Sequence, residues 1–420
     1  KAQIRRDSGA DGYSPDGRRS RARRFTAIRP GRVAVRGGCA PESVRGFFIM
    51  VFTDSDHAYM RRALELAQRG RGRVSPNPMV GCVVVRDGRI IGEGWHERAG
   101  LPHAEVNAVQ ACPEGDIHGA TVYVTLEPCA HYGKTPPCAD FLAERKPARV
   151  VCAMRDPNPL VSGRGIERLL RAGISVECGL LETEARKMNE IFVKFITTGR
   201  PFVVAKCAMS LDGKIATRTG HSRWVTSEAA RARTHEMRAE LDAILVGSRT
   251  VMLDDPSLTA RTPVPPPRQP VRVILDGDDY LGPSLKVFTP ELRALAPTWV
   301  ATVKDESRQY PDADLVLRLP RGRGGVDMGA LMTALGDRGI TSVLIEGGGQ
   351  TLASAFEANV VDKVCFFIAP RVIGGRDAVT AVEGEGVATI DDAVRLRDLT
   401  FTPVGEDWLA EAYVVQGEPS

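Results

Sequence analysis

The stretch "MVGCVVVRDGRIIGEGW" (residues 79–95) decides the fold. Two β-branched runs flank Asp87-Gly88, a dipeptide suited to a tight two-residue turn, so the stretch predicts an antiparallel hairpin. Just upstream, "TDSDHAYMRRALELAQRG" (53–70) predicts a helix. Met60, Ala63, Leu64 and Ala67 form its apolar face, Asp54 or Ser55 its cap, and Gly70 its stop. Downstream, helices and strands alternate: helix 103–112, strand 120–128, helix 138–145, strand 148–155, helix 165–173 and strand 174–179. Strands joined by crossover helices predict an α/β sheet sandwiched by helices.

A second α/β pattern begins at "FVVAKCAMS" (202–210). Strands are expected at 242–247, 271–276, 298–302, 314–319, 342–348 and 362–370, with "WLAEAYVV" (408–415) as the last. Helices are expected at 228–239 and 327–338, and the Pro-rich 262–270 is a loop. Between the two patterns, 180–201 reads as a helix followed by a turn. No internal repeat links the halves. The expected organisation is an extension over 1–49, a first domain over 50–180, a connector over 181–200 and a second domain over 201–420.

Composition bounds the function. The 420 residues are 43% hydrophobic and 26% charged, enough for two or three cores. No apolar run approaches the roughly 18 residues of a membrane span. "GFFIMVF" (46–52) lacks the cleavage site of a signal peptide. The nine cysteines are dispersed, and Cys82, Cys152, Cys207 and Cys365 fall inside apolar strand-like runs. Reduced thiols in a cytoplasmic protein are expected rather than a disulfide framework.

The net charge of +4 hides an asymmetry. Residues 1–49 carry 12 Lys/Arg against 4 Asp/Glu, so the other 371 residues carry 44 against 48 and are net acidic. The Arg- and Gly-rich start lacks apolar periodicity and is expected to be disordered. Such an arm can bind nucleic acid. The preferred expectation is that it has no role, with Met50 as the natural start.

The chemistry-bearing words are "HAEVNA" (103–108) and "PCAHYGKTPPC" (128–138). His103, Cys129 and Cys138 offer one imidazole and two thiolates, and a catalytic zinc takes three protein ligands plus water. Pro102 and Pro128 place His103 and Cys129 near the start of a helix or turn, where thiolates are favoured. Glu105 is the wrong residue type for a thiol-rich structural site. It would take a proton from water and pass it to departing ammonia, as the H-x-E and P-C…C order of zinc deaminases requires. The departure is the cysteine spacing: eight intervening residues instead of two.

"SPNPMVGCVVV", "HAEVNA", "EPCAHYGKTPPC" and "DPNPLVSGRG" together resemble the bifunctional deaminase–reductases of riboflavin biosynthesis over roughly 53–180, long cysteine spacing included. The resemblance implies a cytidine-deaminase-like α/β/α domain. It also implies deamination of a diaminopyrimidine ribosylamine 5′-phosphate to its uracil counterpart. Asn77 would then bond the pyrimidine, and Asp156 and Asn158 would shape the pocket. Read alone, these three serve equally as turn formers. His131 either faces the substrate or lies on the surface.

In the second half, "AILVGSRT" (243–250) and "VLIEGGGQT" (343–351) run from strands into glycine-containing turns before helices. Such turns let backbone N–H groups approach a phosphate, but neither is a P-loop or a G-x-G-x-x-G fingerprint. "KCAMSLDGKIA", "SRWVTS", "ILVGSRTVMLDDPSLTAR" and "LIEGGGQTLASAF" look like the reductase part of the same family over roughly 201–416. That resemblance implies a dihydrofolate-reductase-like α/β domain using NADPH to reduce the opened ribose to a ribityl chain. Ala208, Trp224, Thr250, Asp254 and the loop Gly348, Gly349, Gln350, Thr351, Leu352, Ala353, Ser354 would meet the cofactor. Ser222, Arg238, Leu258, Arg261 and Glu346 would meet the substrate. Arginine suits a bidentate phosphate grip, while Asp254 either helps protonate the sugar imine or caps a turn.

The sequence therefore predicts a cytoplasmic, zinc- and NADPH-dependent enzyme acting on a small molecule, without nucleic-acid or membrane partners. The resemblance further implies a homo-oligomer. Two alternatives stand beside it: a nucleic-acid or nucleoside zinc deaminase with an accessory domain, and a non-catalytic zinc module scaffolding a binding domain.

Overall fold

The hairpin forms where Asp87-Gly88 predicts it. In the computed structural model, β1 (Gly81–Arg86) and β2 (Arg89–Trp95) pair antiparallel, following α1 (Asp54–Gln68). Asp87 and Gly88 both take positive φ, as a two-residue turn between right-twisted strands demands. The structure describes residues 52–415 except 133–135, 160, 278–280 and 283. The expectations placed on 1–49, Cys39 and Met50 lie outside these.

Helix α1 is capped by Thr53, not by Asp54 or Ser55. The Thr53 hydroxyl accepts from Asp56 N, and the Asp56 carboxylate accepts from Thr53 N in return. This reciprocal box satisfies two orphan N–H groups of the helix start, and it needs an acidic residue three places on, which Asp56 supplies.

The chain continues through α2 (Ala104–Gln110), β3 (Thr121–Val124), α3 (Cys138–Arg145), β4 (Arg149–Cys152), α4 (Arg164–Arg171) and β5 (Ser175–Cys178). The first sheet has the order β2-β1-β3-β4-β5, antiparallel at the hairpin and parallel from β3 to β5. Successive strand residues face opposite ways. Cys82, Val84, Val122 and Val150 therefore pack under α2, α3 and α4, while Val83, Val85, Tyr123 and Val151 pack under α1. Both faces are covered, which is why these strands read as continuous apolar runs.

The 180–201 segment is two helices, α5 (Glu182–Met188) and α6 (Glu190–Thr198), rather than one. The break is at Asn189, whose buried side-chain amide bonds both N and O of Met79 instead of continuing a helix face.

Then follow β6 (Phe202–Ser210), α7 (Glu228–Glu240), β7 (Ala243–Gly247), α8 (Ser248–Asp254), β8 (Val271–Asp276), α9 (Pro290–Leu295), β9 (Thr298–Thr302) and β10 (Leu315–Arg318). A small ribbon of β11 (Arg321–Gly322) and β12 (Gly325–Val326) precedes α10 (Met328–Gly336), β13 (Ser342–Ile345), α11 (Gly349–Glu357), β14 (Lys363–Ala369), β15 (Leu396–Val404) and β16 (Asp407–Val414). The second sheet runs β10-β9-β8-β7-β13-β6-β14-β16-β15. It is parallel except at β16, which is antiparallel to both neighbours.

Strand β13 inserts between β6 and β7. Open α/β sheets bind ligands at the carboxyl ends of strands where the order reverses in this way. Strand β15 escapes a pattern search because Asp398 and Pro403 interrupt it; a proline is tolerated because this is an edge strand. Among the described residues, the cysteines are free and no helix is long and apolar enough to cross a membrane.

Candidate functional sites

His103, Cys129 and Cys138 converge. His103 is the N-cap residue of α2, with extended backbone and no capping bond from its side chain, so the imidazole is available. Cys138 opens α3. Cys129 sits on the non-helical link after β3, so the helix start belongs to Cys138 rather than to Cys129. The α3 start still acts on Cys129, because Cys138 N donates to its Sγ at 3.3 Å. His103 Nδ1 lies 3.3 Å from Cys138 Sγ and 3.6 Å from Cys129 Sγ. All three donor atoms fall within 4.8 Å of one another.

Zinc bonds of about 2.0–2.1 Å to N and 2.3 Å to S at a tetrahedral angle put N and S about 3.6 Å apart. The donor set therefore fits zinc in spacing as well as in chemistry. The Cys129 thiol is pushed down, to about 4, because Cys138 and His103 hydrogen-bond to it. Cys138, donating to Cys129, is pushed up in turn, and zinc would displace the proton the pair shares, since a metal takes both as thiolates.

Glu105 sits in the first turn of α2, only 3% exposed, beside this cluster. Burial, reinforced by the Cys129 thiolate, pushes its carboxyl up to about 7. It faces a cleft of about 350 Å³ that is also lined by Asn77, Asp156, Asn158 and His131. The structure thus gathers every residue that the sequence reading placed at the first site. His131 is exposed at the cleft rather than buried in it. Asp156 and Asn158 also form a local turn, Asn158 N donating to Asp156 Oδ1 at 2.9 Å, so the turn-forming and pocket-lining readings coincide.

Three contributors were missed. His96, 2% exposed, bonds Pro102 O through Nδ1 and the Asn77 amide through Nε2, at 3.1 Å each. Burial lowers its pKa, so the neutral ring donates from Nδ1 and accepts at Nε2. That fixes Asn77 Nδ2 toward His96 and leaves Oδ1 for a ligand.

Glu127 is the second. Its buried carboxylate accepts from the backbone N of Asp156, Gly163, Gly165 and Ile166, so it ties Asp156 to the start of α4. Its place just before Pro128-Cys129 is the only signal in the sequence. The third is α6, which contributes Phe192, Phe195 and Ile196 to the cleft wall; nothing local marks them.

The second cleft, about 720 Å³, is lined by Lys206 of β6, by Glu346 just after β13, by α7 and by the 254–261 segment. It is lined by all five expected substrate residues, Ser222, Arg238, Leu258, Arg261 and Glu346, and by Trp224 and Asp254. Arg238 is partly buried, its side chain 13% exposed, and is not a solvated helix charge. Its Nε and Nη2 form a fork on the Glu346 carboxylate at 2.6 and 3.0 Å, and Nη1 donates to Thr259 O. Burial alone would raise the Glu346 pKa, but the charges of Arg238 and Lys206 hold it below its usual value.

With the Arg238 fork engaged, Arg261 is the freer guanidinium. It reaches His235 Nε2 at 3.0 Å. His235 in turn lies 3.2 Å from Thr259 O through Nδ1, and burial beside Arg238 and Arg261 holds it down to about 4, hence neutral. His235 and Lys206 were missed, though His235 precedes Arg238 by one helical turn.

Ala208, Thr250 and Gly348–Ser354 lie off the lining of this cleft. A Cβ on Gly347 would meet Thr351 at 2.5 Å, and one on Gly349 would meet Thr380 O at 2.6 Å. At Gly348 the nearest obstacle would be Thr250 Oγ1 at 3.6 Å. The turn before α11 is therefore closely packed behind and open at Gly348, beside Thr250. A helix start with free N–H groups there fits the phosphates of a dinucleotide. Leu352 and Ala353 are buried inside α11, and Leu352 N donates to Gly348 O.

Known proteins match both halves. Residues 53–154 match the cytidine and deoxycytidylate deaminase zinc-binding region, and 201–410 match the RibD C-terminal domain. The riboflavin biosynthesis protein RibD of Actinobacillus pleuropneumoniae is 44% identical over 90% of this chain and 99% of its own length. That of Escherichia coli is 42% identical over 84% and 97%. Among solved structures, Acinetobacter baumannii RibD superposes with a TM-score of 0.78 at 36% identity, covering 86% of this chain and 99% of that one. A diaminohydroxyphosphoribosylaminopyrimidine deaminase/5-amino-6-(5-phosphoribosylamino)uracil reductase from Thermotoga maritima gives 0.75 at 38% identity with the same coverage.

Proposed function

The chain belongs to the RibD family of riboflavin-biosynthesis proteins, and on that premise we propose how the residues of its two clefts divide the work. It is a bifunctional enzyme of riboflavin biosynthesis, a zinc-dependent deaminase and an NADPH-dependent reductase on one polypeptide. It deaminates a diaminopyrimidine ribosylamine 5′-phosphate to the uracil compound and then reduces the ribosyl chain to ribityl. The observation that carries the assignment of roles is the His103–Cys129–Cys138 cluster with Glu105 buried beside it.

In the first cleft, His103, Cys129 and Cys138 would hold zinc and leave its fourth position to the cleft. Zinc, when bound, supplies the Lewis acidity that makes water a nucleophile near neutral pH. Glu105 takes the proton from that water and returns it to the departing ammonia; its burial keeps the transfer away from solvent. Asn77 presents Oδ1 to the pyrimidine, with Asp156 and Asn158 closing the same side.

In the second cleft, NADPH supplies the hydride. Trp224 and Asp254 on the cleft wall, together with Ala208, Thr250 and Gly348–Ser354 outside its lining, would hold it. Arg261, Ser222 and Leu258 hold the phosphorylated sugar, and the Arg238–Glu346 pair keeps a fixed, charge-balanced floor beneath it.

The division into 50–180, a connector over 181–200 and 201–420 is supported by the separation of the strands into two sheets, β1–β5 and β6–β10 with β13–β16. A cytoplasmic location suits its small-molecule chemistry and free thiols. A homo-oligomer is supported by β15, whose Leu396, Leu399 and Phe401 are exposed on an unpaired sheet edge. The test is stoichiometry: zinc-loaded protein given the diaminopyrimidine substrate and NADPH should release ammonia and then oxidise one NADPH per ammonia. Ammonia release from cytidine or tRNA, and none from this substrate, would overturn the reading.

A further inference from the structure

The wall of the deaminase cleft that carries Asn77 is held from outside its own sheet. Pro76, Asn77 and Pro78 line the cleft, and the residues on either side of them are tied down. Beyond Pro78, Met79 is fixed through both backbone groups by Asn189. Before Pro76, the Ser75 hydroxyl donates to Asp242 Oδ2 at 3.0 Å.

Asp242 belongs to the reductase half, between α7 and β7, and is 2% exposed. The same Oδ2 accepts from Thr341 N at 2.8 Å and Thr341 Oγ1 at 2.6 Å, while Oδ1 pairs with Arg268. Its carboxylate is therefore fixed by Arg268 and by Thr341, the residue before β13, whose hydroxyl also lies 3.3 Å from that of Ser75. A second contact brings the backbones together. Gly72 has φ +70°, and a Cβ there would lie 2.8 Å from Ala239 O at the end of α7. Only Pro76, whose ring fixes φ, separates Ser75 from Asn77. A shift of Ser75 is thus transmitted to the amide that His96 orients.

We propose that Asp242, acting through Ser75, is a positioning residue for deamination: a side chain of the reductase half that sets where Asn77 meets the pyrimidine. The proposal rests on the reading that Asn77 binds that ring. Asp242 touches neither the zinc ligands nor the lining of the reductase cleft. It differs from a purely structural aspartate because its effect should appear in one activity only.

The test uses the zinc-loaded full chain, with the two half-reactions assayed separately. Ser75→Ala should raise the deamination KM about fivefold, the scale of one lost hydrogen bond. Its deamination kcat and both reductase constants should stay within about twofold, and Ser75→Thr, which keeps the hydroxyl, should restore the KM. Asp242→Ala should raise the same KM, and adding Ser75→Ala to it should add nothing. Multiplying effects in the double variant, an unchanged KM in Ser75→Ala, or equal losses in both half-reactions would each overturn the proposal. Asn77→Ala separates the two levels. If it raises the deamination KM while Ser75→Ala does not, only the positioning role fails; if Asn77→Ala also leaves it unchanged, both fail.

Discussion

In the deaminase cleft the reactive groups come from one short span, 103–138, and meet at two helix starts and a loop around a buried glutamate. In the reductase cleft, Lys206, Arg238, Leu258 and Glu346 come from four segments spread over 206–346 and meet around a guanidinium–carboxylate fork. The first is the smaller cavity, about 350 against 720 Å³. A metal and one proton shuttle need a few donors at fixed short distances. A hydride transfer needs room for two large ligands and charges balanced before either arrives. The first kind of site is fragile to a single donor, and the second distributes its binding over many contacts.

That contrast can be broken first at the metal. Cys129→Ser should abolish stoichiometric zinc and lower deamination by about a thousandfold or more, because the Lewis-acid contribution is several kcal/mol. Reduction of the uracil intermediate should continue. Zinc analysis and the two separate assays check this, and chelation of the wild type should reproduce it reversibly.

Arg238→Ala comes next. It strands the buried Glu346 carboxylate, and reductase kcat/KM should fall by about a hundredfold, on the scale of about 3 kcal/mol. Deamination should be spared, as steady-state kinetics of both half-reactions would show.

A third expectation concerns stability rather than chemistry. Asp56, 3% exposed, accepts from Thr53, Tyr123 and Arg149. Burial opposes its ionisation, but bonds from Arg149 and Tyr123 hold its carboxyl well below the usual carboxylate range. A depressed folded pKa gives stability that is present above the unfolded value of about 4 and lost as pH falls below it. Asp56→Asn should therefore cost about 3 kcal/mol at pH 7 and narrow its deficit in acid, measured by denaturant titration at several pH values.

The smallest effect on catalysis is expected from Phe401→Asp on β15. Oligomeric mass by light scattering should fall, while both activities stay within about twofold of wild type.

What could be read in advance follows the same contrast. The hairpin, the strand–helix alternation and the metal donors are encoded locally. Asp87-Gly88 needs only its own turn, and His103, Glu105 and Cys138 are placed by the helices they open. The Asn189 break between α5 and α6 could not be read, because that amide answers to Met79, remote in sequence. For the same reason, Phe192, Phe195 and Ile196 are apolar helix residues in sequence and a cleft wall only after α6 packs. Strand β15 was missed because Asp398 and Pro403 disguise an edge. Arg238 was ambiguous until Glu346, on another element, was seen to face it.

The central claim is that one chain carries two separable chemistries, and Glu105→Gln tests it most directly. This variant keeps the zinc ligands and removes only the proton carrier. The measurement is ammonia release from the diaminopyrimidine substrate and, on the same preparation, NADPH oxidation with the uracil intermediate supplied. The account predicts no detectable ammonia and wild-type NADPH oxidation. Ammonia release at the wild-type rate, or loss of both activities in a folded, zinc-loaded protein, would contradict it.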